Sequence, residues 1–133
     1  MTYPKHSKYK IPHFDQYACF GDTVTWSPKQ NNPHGLTITA RLECDDCTRP
    51  EDSECYSAHK IAQWNNGDWH YVGVVLSVHK DNVTLDNNAV SIWGLECNYS
   101  TWNNLYFAQV CKDLESEALQ VGADVLTNLT GKE

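Results

Sequence analysis

Trp64-Asn65-Asn66-Gly67-Asp68-Trp69-His70-Tyr71-Val72-Gly73-Val74-Val75-Leu76-Ser77-Val78 is the stretch that decides the architecture of this chain. It begins at the end of a helix, passes through a Gly67-Asp68 turn and becomes a strand. Side chains alternate across a strand, so Val72, Val74, Leu76 and Val78 share one face. Trp69, Tyr71, Gly73 and Val75 share the other, which is unusually aromatic for a surface turned to water.

On the N-terminal side, Leu36 to Cys44 has the clearest period of two. Leu36, Ile38, Ala40, Leu42 and Cys44 fall on one face, and Thr37, Thr39, Arg41 and Glu43 on the other. One apolar and one polar face indicate an antiparallel sheet. Thr23-Val24-Thr25-Trp26 reads as a short strand ended by Ser27-Pro28, and Asn31-Asn32-Pro33-His34-Gly35 as a turn. Ser57 is a suitable N-cap for a short helix from Ala58 to Trp64. Beyond Val78, Lys80-Asp81-Asn82 turns the chain into Val83-Thr84-Leu85. Asp86-Asn87-Asn88 turns it again before Val90 to Glu96, completing a meander. Ser100 or Thr101 can cap a final helix running to about Asn128. Its stripe is Phe107, Cys111, Leu114, Ala118, Val121 and Val125, while Gly122 weakens it by roughly 1 kcal/mol relative to Ala. The expected fold is α+β: an antiparallel sheet of four or five strands, a long C-terminal helix packed on one face, and a short helix after an acidic Cys-containing loop. Residues 1–20 read as an N-terminal arm and residues 21–133 as a single α+β domain, with no internal repeat.

The composition suits such a domain. A chain of 133 residues with 41% hydrophobic and 20% charged side chains can bury one ordinary core. No apolar run is long enough to span a bilayer, and no secretory signal stands at Met1-Thr2-Tyr3-Pro4, so a cytoplasmic location is expected and no membrane. The net charge of −7 argues against direct nonspecific nucleic-acid binding, which needs a positive footprint. The acids are unevenly placed: Glu43, Asp45, Asp46, Glu51, Asp52 and Glu54 stand against Arg49 alone. Such a run either solvates a loop or attracts a basic surface.

Residues 57–96 resemble a family of small, mostly uncharacterised tailed-bacteriophage proteins. The resemblance rests on Tyr56-Ser57, Ile61-Ala62-Gln63-Trp64, Gly67-Asp68-Trp69-His70-Tyr71-Val72-Gly73-Val74 and Ser91-Ile92-Trp93-Gly94-Leu95-Glu96, in that order. It does not extend to the N-terminal arm or to the cysteines of residues 44–55. It implies a phage accessory protein in host cytoplasm. By association it also implies an acidic binding protein that engages a host cytoplasmic protein as an inhibitor or counter-defence factor.

Three groups of side chains carry the candidate chemistry. Cys44, Cys47, Cys55 and His59 have thiolate and imidazole donors of the kind a structural zinc ion takes, although the spacing matches no common finger. Free thiols and an adventitious disulfide fit the same pattern. The acids of the same loop lack the alternating ligands and turn Gly of a calcium-binding EF-hand. Trp64, Trp69, Tyr71 and Trp93, edged by Asp68, His70 and Glu96, form the third group. The rings either make one exposed patch or fill a second small core. As a patch, with Asp45, Asp46, Glu51 and Asp52 beside it, they would suit a protein partner. The alternative is a small nucleotide-like ligand stacked on the aromatic strand face, although no phosphate loop is present. His70 with Asp68 or Glu96 could make an acid–base pair. No nucleophile elbow, HExxH, P-loop or paired Cys–His signature accompanies it, so an enzyme is not the favoured reading. Homodimerisation through the aromatic face or the last strand is a further expectation.

Overall fold

A computed structural model describes Phe14, residues 18–99 and residues 106–130. Four strands form one antiparallel sheet in sequence order: β1 (Thr23–Trp26), β2 (Thr37–Cys44), β3 (His70–Lys80) and β4 (Val83–Cys97). Helix α1 (Ala58–Asn65) lies between β2 and β3, and the long helix α2 (Phe107–Thr130) follows β4. The expected α+β fold is therefore the one adopted.

The alternation read from β2 carries directly into burial, whereas β3 is buried on both faces, with Tyr71, Gly73, Val75 and Ser77 covered as well. Leu36, Ile38, Ala40 and Leu42 meet Val72, Val74, Leu76 and Val78 on one face, all of them buried, while Cys44 at the strand end is exposed. Burying each Leu, Ile or Val stabilises the fold by about 1.5–3 kcal/mol, so this face dominates the packing energy. Helix α2 covers it with Phe107, Cys111, Ala118 and Leu119, and Leu126 packs at its margin. Phe14 and Ala18, from the segment expected to be an arm, are buried in the same core. The Phe14 ring meets Phe107 edge-on at 6.0 Å. Trp26 Nε1 donates to Glu115 Oε1 at 2.8 Å and ties the short edge strand to α2.

Two local expectations need adjustment. Asp86-Asn87-Asn88 does not break the last strand; β4 continues from Val83 to Cys97, with register irregularities opposite Leu76 to His79. The extra residues are accommodated as a bulge, since Asn87 O accepts from Ser77 Oγ and Arg41 Nη1, and Asn88 N–H donates to Asp86 Oδ1. The stripe of α2 also drifts: Val121 and Val125 are only partly buried, and Gly122 is buried against the sheet. The expected cap at Ser100 or Thr101 lies outside the described residues. Ser57 does cap α1, its side chain accepting from Lys60 N–H at 3.2 Å.

Candidate binding surface

The face of the sheet opposite α2 is set by the odd-numbered residues of β3. Opposite Gly73, β4 contains an irregularity: Val72 pairs with Leu95 and Val74 with Ile92, so Trp93 and Gly94 together face one residue. Gly94 has φ +76°, a left-handed value that glycine adopts without strain. This bulge aims the Trp93 side chain over Gly73. A Cβ placed on Gly73 would stand 2.2 Å from Cε3 of Trp93, 2.5 Å from Cδ2 and 2.6 Å from Cζ3. Distances to the two neighbours of Cε3 that are so little longer than that to Cε3 itself place the point above the ring plane, not beyond its rim. The indole therefore lies flat on the Gly73 backbone. Its Nε1 donates to Ser91 Oγ at 3.1 Å, and the residue remains 45% exposed. One ring face is seated and the other is open to water.

Polar groups stand on the same side of the sheet. Glu43 is the register partner of Gly73, and Arg41 that of Val75. Arg41 and Glu43 form an ion pair, and Arg41 Nη1 also donates to Ser77 Oγ at 2.7 Å and Asn87 O at 2.8 Å. The acidic loop is fastened to the bulge by Asp45. Its Oδ1 accepts from the N–H groups of Cys47 (2.9 Å) and Thr48 (3.1 Å), and its Oδ2 from Thr48 Oγ1 (2.7 Å) and Gly94 N–H (2.8 Å). Partial burial pushes this carboxyl upward, but the hydrogen bonds from Thr48, Cys47 and Gly94 outweigh it and hold the group below the usual carboxylate range. Asp46, Glu51, Asp52 and Glu54 are exposed around this anchor.

The other aromatic residues divide. Trp69 (1% exposed) and Tyr71 (4% exposed) lie in a second small core with Tyr56 and Tyr99, at ring separations of 5.0–5.4 Å from Trp69. Trp69 Nε1 donates to Lys60 O at 2.9 Å, and Lys60 Nζ sits 4.1 Å from the centroid of the Tyr99 ring. Tyr56 OH donates to Glu96 Oε2, and burial followed by this bond raises its phenol far above the ordinary value. Trp64 is partly covered by Arg49, whose guanidinium lies 4.9 Å from the ring centroid. Asp68 is exposed in the turn beyond α1. The four rings thus do not form one patch; of them, Trp93 offers a face to solvent, and Trp69 and Tyr71 offer none.

The remaining sequence candidates are not brought together. Cys44 Sγ donates to Asp46 Oδ1 at 3.1 Å, and Cys47, Cys55 and His59 are exposed. Among the described residues no group of three or more His, Cys, Asp or Glu is placed to hold a metal ion. The loop is organised instead by the Asp45 carboxylate. His70 and Glu96 lie on opposite faces of the sheet, because His70 pairs with Cys97 and Tyr71 with Glu96. The His70 imidazole faces Cys19, with 3.7 Å between Nε2 and Sγ. A cleft of about 270 Å³ between the 31–36 turn and α2 is lined by none of these groups. Its central side chain, Asn32, is already bonded to Pro28 O, Leu36 O and Leu36 N–H.

Sequence reasoning misses Gly73, Ser91 and Glu43 as parts of one arrangement. The available signal is a Gly and a Trp on neighbouring strands, since an aromatic ring often covers the backbone that a strand glycine leaves bare. Among the described residues no helix is long and apolar enough to cross a membrane. No protein-family model matches this chain, and no curated protein or solved structure matches it either.

Proposed function

We propose that this chain is a non-catalytic, acidic binding protein that captures a protein partner on the second face of its sheet. Trp93 is the anchor and Asp46, Glu51 and Asp52 form the rim. The observation that carries this reading is the indole seated flat on Gly73 with its outer face open. A ring already held by Ser91 loses little freedom when a partner covers it, and Trp is among the residues that most often dominate interface energy. The excess of acids beside it favours a basic partner surface, with an Arg or Lys side chain over the indole. With the phage resemblance, the partner is a host cytoplasmic protein, and inhibition or counter-defence is the consequence of capture.

The test is affinity capture from bacterial lysate with wild type, Trp93→Ala and the Asp46→Asn/Glu51→Gln/Asp52→Asn variant side by side. A host protein retained by wild type and lost from Trp93→Ala supports the reading. An identical set retained by all three removes this face from consideration. The small-ligand alternative now rests on Trp93 alone. A nucleotide that quenches wild-type tryptophan emission but not that of Trp93→Phe would favour it.

A further inference from the structure

The six thiols of this chain occupy different surroundings. Cys97 and Cys111 are buried, and burial pushes the Cys111 thiol up to about 12. Cys44 donates to the Asp46 carboxylate, and that bond, followed by burial and the neighbouring acids, raises it as well. Cys47 and Cys55 stand in open solvent. Cys19 differs from all of them: it is half-buried, and its Sγ lies 3.7 Å from Nε2 of His70.

Both partners are held in place. Cys19 N–H donates to Asp22 Oδ2 at 2.9 Å and Cys19 O accepts from Asp22 N–H at 3.1 Å, closing a tight turn. That turn is fixed to β2 by Gly21 N–H to Leu42 O and Leu42 N–H to Asp22 O. His70 is the first residue of β3, paired with Cys97 of β4, and its ring meets Phe20 edge-on at 5.3 Å. Among the described residues, the ionisable groups near the pair include Asp22 on the turn, Cys44 at the end of β2, and Cys97, the register partner of His70 on β4. Desolvation lowers the basicity of the imidazole below its ordinary value, so the neutral ring faces the thiol, and activation uses the tautomer whose Nε2 carries no proton.

We propose that Cys19 is a reactive thiol, activated by His70, that undergoes exchange with a small aliphatic disulfide. His70 Nε2 takes the Sγ proton as Sγ attacks one sulfur of the disulfide. A mixed disulfide forms on Cys19, the original S–S bond breaks, and the departing thiolate takes the proton back from Nε2. Cys19 is oxidised and half of the reagent is reduced, with no other co-reactant. The site is independent of the Trp93 face.

The experiment treats the full chain with the neutral reagent hydroxyethyl disulfide and follows adduct formation at each cysteine by peptide mass mapping. At about pH 7 the Cys19 adduct should form about tenfold faster than those of Cys47 and Cys55. Its rate should be nearly flat between about pH 6.5 and 8, whereas that of a solvent-exposed thiol rises about tenfold per pH unit below its pKa. His70→Gln should bring Cys19 down to the rate of the exposed pair. Equal rates in wild type, or a Cys19 rate that climbs with pH as theirs do, overturns the proposal. The wild-type profile decides the matter even where His70→Gln fails to fold.

Discussion

Gly73 and Trp93 depend on each other, and either can be tested alone. In Gly73→Ala the added methyl falls well within contact distance of the indole face, so the ring must leave its bed or the strands must part. Overpacking of this kind destabilises by about 1–3 kcal/mol. We expect a lower denaturation midpoint together with red-shifted emission from Trp93, identified by its absence in the Gly73→Ala/Trp93→Phe pair. An unshifted spectrum would mean that the ring does not rest on Gly73. Asp45 gives a second prediction. Asp45→Asn turns an amide N–H₂ toward Gly94 N–H, which loses its acceptor, at a cost of about 1–3 kcal/mol. The pH dependence has a definite sign. Because the folded carboxyl lies below its unfolded value, its stabilisation is complete above about pH 4 and is lost as pH falls through the folded pKa. Urea melts at neutral and acid pH should show wild type losing this increment and Asp45→Asn lacking it throughout. Neither role is legible along the chain. Asp45 reads as one acid in a run of six, and Trp93 meets Gly73 only because a bulge sets two residues against one.

The strands and helices show which signals survive folding. The period of two in β2 and β3 predicts Leu42, Val72 and their neighbours as core because only one face of each strand meets α2. Asp86-Asn87-Asn88 reads as a turn on composition, yet the strand continues through it. Hydrogen bonds from distant Arg41 and Ser77 hold Asn87, and no local pattern contains them. In α2 the helical period finds Phe107, Cys111 and Ala118 but not the drift toward Leu119, Gly122 and Leu126. Gly122 shows why. A Cβ there would lie 2.8 Å from Leu36 Cδ1 and 2.8 Å from Val78 Cγ2, both tips of fully buried side chains. Glycine at this position lets the helix approach the sheet closely. Gly122→Ala would gain about 1 kcal/mol in helix propensity, but overpacking against two immobile core residues costs about 1–3 kcal/mol. We therefore expect net destabilisation in thermal melts. A stabilised Gly122→Ala would show that the helix can move away without loss.

The molecule as a whole has one face of its sheet closed and the other divided. Helix α2 covers the first; Trp69, Tyr71 and Tyr56 under α1 fill one end of the second, leaving Trp93 and its polar neighbours uncovered beside the acidic loop. Shape and charge should then contribute to capture in separable ways. At physiological ionic strength screening acts over about 8 Å, so exposed acids influence mainly charges that a partner brings close to the loop. Rim charges chiefly govern association rate and salt dependence, whereas a desolvated aromatic anchor governs dissociation. For a captured partner, wild-type affinity should fall as salt rises. The Asp46→Asn/Glu51→Gln/Asp52→Asn variant should bind more weakly at low salt and respond much less to added salt. Its stability should stay within about 0.5 kcal/mol of wild type, because Glu51 makes only an exposed pair with Arg49, and the exposed bond from Cys44 to Asp46 keeps an oxygen acceptor in Asp46→Asn. Trp93→Ala should weaken binding by a similar factor at every salt concentration. Titrations at two ionic strengths separate these effects: a triple variant that keeps the wild-type salt slope removes the acidic loop from the interface and leaves Trp93 to account for capture.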